Sequence, residues 1–197
     1  IVEKYGADTL RMYEMFLGPI EQSKPWDTKG IEGVFRFLKK YWRSCFDENT
    51  GALALEDGEP SAAELKVLHK TIKRIIDDTE RFSFNTAVSG FMIALNELGE
   101  LKCRKKAVFE AFTILLSPYA PHLAEEVWKA MGHESSIAYA SLPVYEEKYT
   151  LDQSFNYPVS FNGKMRFNME LPLDLNPAEI EKQVLASEQA AKWLEGK

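Results

Sequence analysis

The sequence predicts a mainly α protein: an antiparallel helical bundle followed by a small, partial α+β unit. Three observations lead there. From Val34 to Met131 apolar residues recur every three or four positions, the period of helices that bury one face. Pro118 and Pro121 then force one helix to stop and another to start, which makes a corner between two packed helices. Further on, Asn162-Gly163 lies between two β-prone runs, a strong hairpin signal because both residues accept positive φ. The expected divisions are a connector helix and loop at 1–27, a helical bundle at 28–135, and a linker with a partial α+β domain at 136–197.

Asp8 is placed to N-cap a helix running to about Leu17, where Gly18-Pro19 stops it, with Leu10, Tyr13 and Leu17 on one face. Residues 19–27 form a connector that Trp26 pins to the bundle. Between Val34 and Phe46, the residues Phe35, Leu38, Trp42 and Phe46 make an inward stripe, and Arg36, Lys39, Lys40 and Arg43 gather on another face. Cations stacked along a helix suit a phosphate backbone, and they equally suit a solvated face that keeps a domain soluble. Ser61 with Glu64 is a capping box opening the next helix, which turns Leu65, Leu68, Ile72, Ile75 and Ile76 inward and leaves His69 among the polar positions.

A helix from about Asn85 to Leu98 turns Val88, Phe91, Leu95 and Leu98 inward, ends at Gly99 and uses Gly90 for close helix approach. Lys102, Arg104, Lys105 and Lys106 crowd the start of the helix that leads to the corner. Cations there oppose the helix dipole, so they serve either a phosphate contact or neutralisation by Glu97, Glu100 and Glu110. Past Gly132 the texture changes. Ser136–Ala140 is a short β-tolerant stretch and Tyr145–Asp152 an acidic linker. The hairpin spans 155–171, and Asn176-Pro177-Ala178-Glu179 opens a last helix over 177–195 that turns Ile180, Val184, Ala191 and Leu194 inward. A two-stranded sheet is marginal alone, so this end is expected to be loosely held or to pair with a second copy.

Bulk properties exclude several classes. With 197 residues, 45% of them hydrophobic, the chain buries a sizeable core. Its net charge of -6 opposes coating of nucleic acid by bulk charge, so any RNA contact rests on local basic patches. Cys45 and Cys103 lack the spacing of a disulfide framework or a zinc site, and His69 has no second ligand at metal spacing. His122 lacks an accompanying nucleophile, and Glu125 and Glu126 diverge on their helix instead of forming an acid–base pair. No targeting segment opens the chain and no apolar run approaches the ~18 residues that cross a bilayer, so a cytoplasmic location is expected. A start at Ile1, without Met, reads as a fragment or a processed product.

Leu115-Leu116-Ser117-Pro118-Tyr119-Ala120-Pro121-His122-Leu123-Ala124-Glu125-Glu126-Val127-Trp128 resembles the signature of the helical anticodon-binding domain in class I aminoacyl-tRNA synthetases for leucine, isoleucine, valine and methionine. The opening, Tyr5-Gly6-Ala7-Asp8-Thr9-Leu10-Arg11-Met12-Tyr13-Glu14-Met15-Phe16-Leu17-Gly18-Pro19 with Glu21-Gln22-Ser23-Lys24-Pro25-Trp26-Asp27, is most similar to the bacterial leucyl enzymes. The resemblance covers nearly the whole chain. It implies a stretch just downstream of the catalytic loop that closes on ATP, so no catalytic residue is assigned and the piece alone is expected to be inactive. For the whole enzyme it implies ATP-dependent ligation of leucine to its tRNA, with ATP and magnesium bound elsewhere.

The implied partners are leucine tRNA and the catalytic domain of the same chain, with no membrane. Docking would use phosphate and shape contacts in preference to anticodon base readout. On that reading the RNA-binding candidates are Arg36, Lys39, Lys40 and Arg43, then Lys102, Arg104, Lys105 and Lys106, then Lys164 and Arg166. The turn Phe161-Asn162-Gly163-Lys164-Met165-Arg166-Phe167 departs from the family by placing Phe where Gly is usual. Two rival readings stand beside this one. A helical protein-interaction module suits the acidic charge. The equivalent valyl or isoleucyl domain is opposed by Glu14-Met15-Phe16-Leu17-Gly18-Pro19 and Ser23-Lys24-Pro25-Trp26.

Overall fold

The computed structural model describes residues 1–27, 29–151, 154–173 and 175–194. The chain divides into one compact unit at 1–150 and a second at 151–197. The first joins the helices expected as connector and as bundle: α1 (Val2–Tyr5), α2 (Ala7–Phe16), α3 (Ile31–Cys45), α4 (Ala62–Glu80), α5 (Phe84–Glu100), α6 (Lys106–Leu116) and α7 (Pro121–Ala130). Its centre is aromatic. The Tyr41 ring stacks on Phe112 at 5.5 Å, Phe112 meets Phe91 edge-on at 5.5 Å, and Phe91 meets Tyr119 edge-on at 5.2 Å. All four are at most 2% exposed, and burying one such side chain stabilises the fold by roughly 1.5–3 kcal/mol. Tyr41 and Tyr119 keep their hydroxyls satisfied on Thr113 and Thr79, so neither ring costs an unpaired polar group.

The core face of α3 differs from the expected stripe. Ile31, Val34, Phe37, Leu38, Tyr41 and Cys45 point inward, whereas Phe35 is half-buried and Trp42 is 38% exposed. The helix carries two apolar stripes roughly 100° apart, and the one with the denser i, i+3, i+4, i+7 spacing takes the core. On α2 the buried face is Asp8, Thr9, Met12 and Tyr13, with Leu10 and Leu17 only half-buried. Trp26 meets Tyr13 edge-on at 5.1 Å and the Tyr13 hydroxyl donates to the Asp27 carbonyl, so the connector is pinned as expected.

The capping box of α4 is present: Glu64 N–H donates to Ser61 Oγ and Ser61 N–H to Glu64 Oε2. Leu68, Ile72 and Ile75 are buried, while Leu65 and Ile76 only flank the core. His69, placed by sequence among the polar positions, is 6% exposed. Its Nδ1 accepts the Glu146 N–H at 3.1 Å and its ring stacks on Tyr149 at 4.5 Å, so it fastens the 145–150 segment to α4. Burial lowers its pKa, and Lys148 adds to that while Glu146 opposes it. The inward residues of α5 are buried as expected, and a side chain at Gly90 would crowd Arg74 and Ile75 at 3.1–3.2 Å. Gly99 does not end the helix; α5 runs to Glu100 and Lys102 adopts the left-handed turn, with φ 53°.

The double-proline elbow lies between α6 and α7, with Pro121 as the first residue of α7. Beyond it, 137–139 form a 3-10 turn capped by Ser136 instead of an extended stretch, because Glu125 accepts both the Ser136 hydroxyl and the Ile137 N–H. In the second unit, β1 (Ser154–Phe161) pairs antiparallel with β2 (Lys164–Pro172), and Asn162 and Gly163 turn with φ 51° and 73°. Val159 pairs with Phe167 and Ser160 with Met165, which leaves Arg166 as the extra residue of a bulge. The single last helix expected over 177–195 is two: α8 (Pro177–Leu185), opened by the Asn176–Glu179 capping box, and α9 (Glu188–Leu194). Ser187 makes the break, its hydroxyl binding the Val184 carbonyl and capping the Ala190 N–H. Residues 28, 152, 153, 174 and 195–197 lie outside the described residues, and so do Asp152 of the expected linker, the helix end expected at 195 and the side chain of Leu194.

Candidate nucleic-acid interface

The elbow is held by α2. Ala120, at the N-cap of α7, has no side-chain acceptor to offer the free N–H groups of that helix start. The missing acceptor comes from Asp8, far away in sequence. Its carboxylate accepts Leu123 N–H at 2.7 Å and His122 N–H at 3.4 Å, and lies 2.7 Å from His122 Nδ1. Asp8 therefore caps α7, whereas the sequence placed it as the N-cap of its own helix; that position is taken by Gly6, with φ 85°, just before α2 starts at Ala7. Arg11 adds a second tie, donating to the Pro118 carbonyl at 3.1 Å.

All four α3 candidates are exposed, on the side of the helix away from the core. Arg36 donates to the Glu32 carbonyl at 3.3 Å, and Lys39 Nζ lies 4.4 Å over the Phe35 ring. Lys40 reaches across to Asn96 Oδ1 on α5 at 2.6 Å, and Arg43 pairs with Glu48 at 2.6 Å. The second cluster reaches α3 through Arg104, and the end of α5 lies near Lys40. Arg104 donates to the Ser44 carbonyl at 3.4 Å, and a Cβ added at Gly99 would come within 3.8 Å of Lys40 Nζ. Lys102, in its left-handed turn, is exposed beside them.

Lys105 and Lys106 behave differently. Both are half-buried, Lys105 lying 3.9 Å from Glu56 and Lys106 giving its backbone N–H to the Glu56 carbonyl. Neutralisation of this cluster by Glu97, Glu100 and Glu110 is not what the structure has. Glu110 pairs with His133 at 3.0 Å, and among the described residues the acids on the candidate cations are Glu48 and Glu56. In the second unit Lys164 is exposed at the start of β2, while the Arg166 guanidinium lies 4.1 Å over the Trp193 ring.

Beside α3 opens a groove of about 750 Å³, bounded by α1, α2, the loop after α3 and the start of α7. Its apolar wall includes Phe35, Leu38, Trp42 and Leu123, with Lys39 and Arg43 at the edge. Sequence reasoning places Trp42 in the core and so misses this wall. The signal that separates the two apolar stripes is that Val34, Phe37, Leu38, Tyr41 and Cys45 already complete a buried face without Phe35 or Trp42. Among the described residues no three His, Cys, Asp or Glu side chains come together as metal ligands, and no helix is long and apolar enough to cross a membrane. Both cysteines are free, and burial pushes each thiol up to about 12.

The chain belongs to a tRNA ligase family: the model for the anticodon-binding domain of tRNA ligase matches residues 64–183. Leucine enzymes are among the relatives it matches. Over its full length the chain is 59% identical to leucine–tRNA ligase of Cytophaga hutchinsonii and 56% identical to that of Parabacteroides distasonis. It spans about a fifth of those relatives, 21% of each. It is also 25% identical to LeuRS of Agrobacterium radiobacter, solved as a ternary complex with tRNA and LeuAMS, with a TM-score of 0.68 over 98% of this chain and 27% of that one. The protein-interaction and valyl or isoleucyl readings give way to these matches.

Proposed function

We propose that the chain is the tRNA-docking part of a leucine–tRNA ligase, in which leucine is joined to its tRNA with ATP and magnesium held by other parts of the same polypeptide. Its own task is positioning. A rigid bundle that grips the tRNA backbone places the acceptor end at a catalytic domain elsewhere, which converts a bimolecular search into a fixed geometry. The partners are leucine tRNA and that catalytic domain, in the cytoplasm; a second copy pairing on the edge of the two-stranded sheet belongs to the same proposal.

The observation that carries the reading is the exposure of Arg36, Lys39, Lys40 and Arg43 along α3, with Arg104 of the second cluster reaching the same helix at the Ser44 carbonyl. Lys164 stands as a separate candidate on the second unit. Lys105 and Arg166 are weaker candidates, since their cations already lie against Glu56 and Trp193, and Lys106 is half-buried. The chain is expected to bind leucine tRNA without hydrolysing ATP or charging the tRNA. Backbone-cleavage footprinting checks this: protection of a run of phosphates that disappears on Arg36→Glu with Lys39→Glu and Arg43→Glu supports it, and no protection in the wild-type chain contradicts it.

A further inference from the structure

We infer that the groove beside α3 seats one unstacked nucleobase of a bound RNA, with Trp42 as the stacking platform and Lys39 and Arg43 on the phosphates that flank it. This rests on the tRNA-docking reading and adds a base contact that docking by phosphates alone does not need. Trp42 is costly where it stands. The core face of α3 is complete without it, and yet a large indole is left 38% exposed on the groove wall. That ring is braced on one face, where it stacks on the buried Phe46 at 4.0 Å and 25°. A rigid planar platform fits another planar ring, and base–aromatic stacking tolerates any base.

Charge favours the same occupant. Lys39 and Arg43 lie one turn apart at the groove edge, and the Lys39 ammonium, held over Phe35, stays exposed. Aromatic faces interleaved with cations are the arrangement that single-stranded nucleic acid requires, since bases stack while phosphates pair. Three acids share the lining with these two cations, and each is already engaged; Asp8 accepts the His122 and Leu123 N–H groups at the start of α7. Asp47 turns its carboxylate into its own loop, accepting Asn49 N–H, Thr50 N–H and the Thr50 hydroxyl. Glu48 holds Arg43 only through an exposed pair, which a phosphate can replace at little cost. A volume of about 750 Å³ takes a base with its sugar and does not take a duplex.

The test uses tRNA itself as the probe. In a chain with Trp26→Phe, Trp128→Phe and Trp193→Phe, Trp42 is the one remaining indole. Adding leucine tRNA is expected to quench its fluorescence, and adding inorganic polyphosphate to leave it unchanged. Trp42→Ala in the otherwise wild-type chain is expected to weaken tRNA binding by about 5- to 150-fold, the equivalent of ~1–3 kcal/mol for one stacked base, with the salt dependence unaltered. Trp42→Phe keeps a ring and is expected to recover most of the affinity. If tRNA binds but Trp42→Ala changes nothing and no quenching appears, the inference is overturned while the docking reading stands. If Trp42→Ala leaves tRNA affinity intact and instead abolishes self-association of the chain, the occupant is protein and the inference is overturned. If the wild-type chain does not bind tRNA, both fall.

Discussion

The two faces of α3 share one helix and obey different rules. Inward, Val34, Phe37, Leu38, Tyr41 and Cys45 are each at most 6% exposed, and Tyr41 ties the helix to α6 through aromatic contacts with Phe109 and Phe112. Outward, Arg36, Lys39, Lys40 and Arg43 touch a carbonyl, a ring, an amide and one exposed acid. Exposed contacts of that kind add little to stability, so the outward face is free to be chosen for what it binds. One helix thus separates folding from binding by the direction of its side chains, and substitutions on the two sides should fail in different assays.

The largest effect is expected inward. Tyr41→Ala removes a fully buried ring and one of the two hydrogen bonds of the Thr113 hydroxyl, a loss of about 3–5 kcal/mol in urea unfolding; where the variant is still folded, its tRNA affinity should match the wild type. Next comes the clasp that orients the elbow. Asp8→Ala strips α7 of its cap and should cost on the order of 1–3 kcal/mol, with faster amide exchange at Leu123, whereas Asp8→Asn, which keeps an acceptor, should cost less.

A smaller effect follows from His69. Its pKa is lowered chiefly by burial, so its neutral form is the one that fits; the stability it contributes is complete above its unfolded value of 6.5 and is lost as pH falls through the lower folded value. Protection of the Glu146 amide should fall over that window, and His69→Gln should remove the pH dependence. Smallest of all, Glu48→Ala should leave stability unchanged and strengthen tRNA binding slightly by releasing Arg43. Weaker binding in that variant would mean that Glu48 orients Arg43 instead of competing for it.

What is legible in the sequence is local. Ser61 with Glu64 and Asn176 with Glu179 form both halves of their boxes within one helical turn, and Asn162-Gly163 carries its own φ preference, so each can be read from neighbours in the chain. Pro121 likewise marks the start of α7. What is not legible is tertiary. Nothing within ten residues of Asp8 or His69 says that one caps a helix across the bundle or that the other is covered by the 145–150 segment. The phase of α3 is misread from sequence because two apolar stripes compete, and only the packing partners decide between them. The same error places Trp42 in the core. The basic residues themselves are easily found; that Lys105 and Arg166 lie against Glu56 and Trp193 while Lys40 reaches α5 and Arg104 reaches α3 needs the fold.

The direct measurement is the salt dependence of leucine tRNA binding for the wild-type chain and for the chain with Arg36→Glu, Lys39→Glu and Arg43→Glu. If the outward face of α3 holds phosphates, the slope of log affinity against log salt becomes shallower by roughly 0.7–0.9 for each phosphate no longer neutralised, while the unfolding midpoint stays close to the wild type. An unchanged slope, or a loss of binding that follows a loss of stability, would contradict the account.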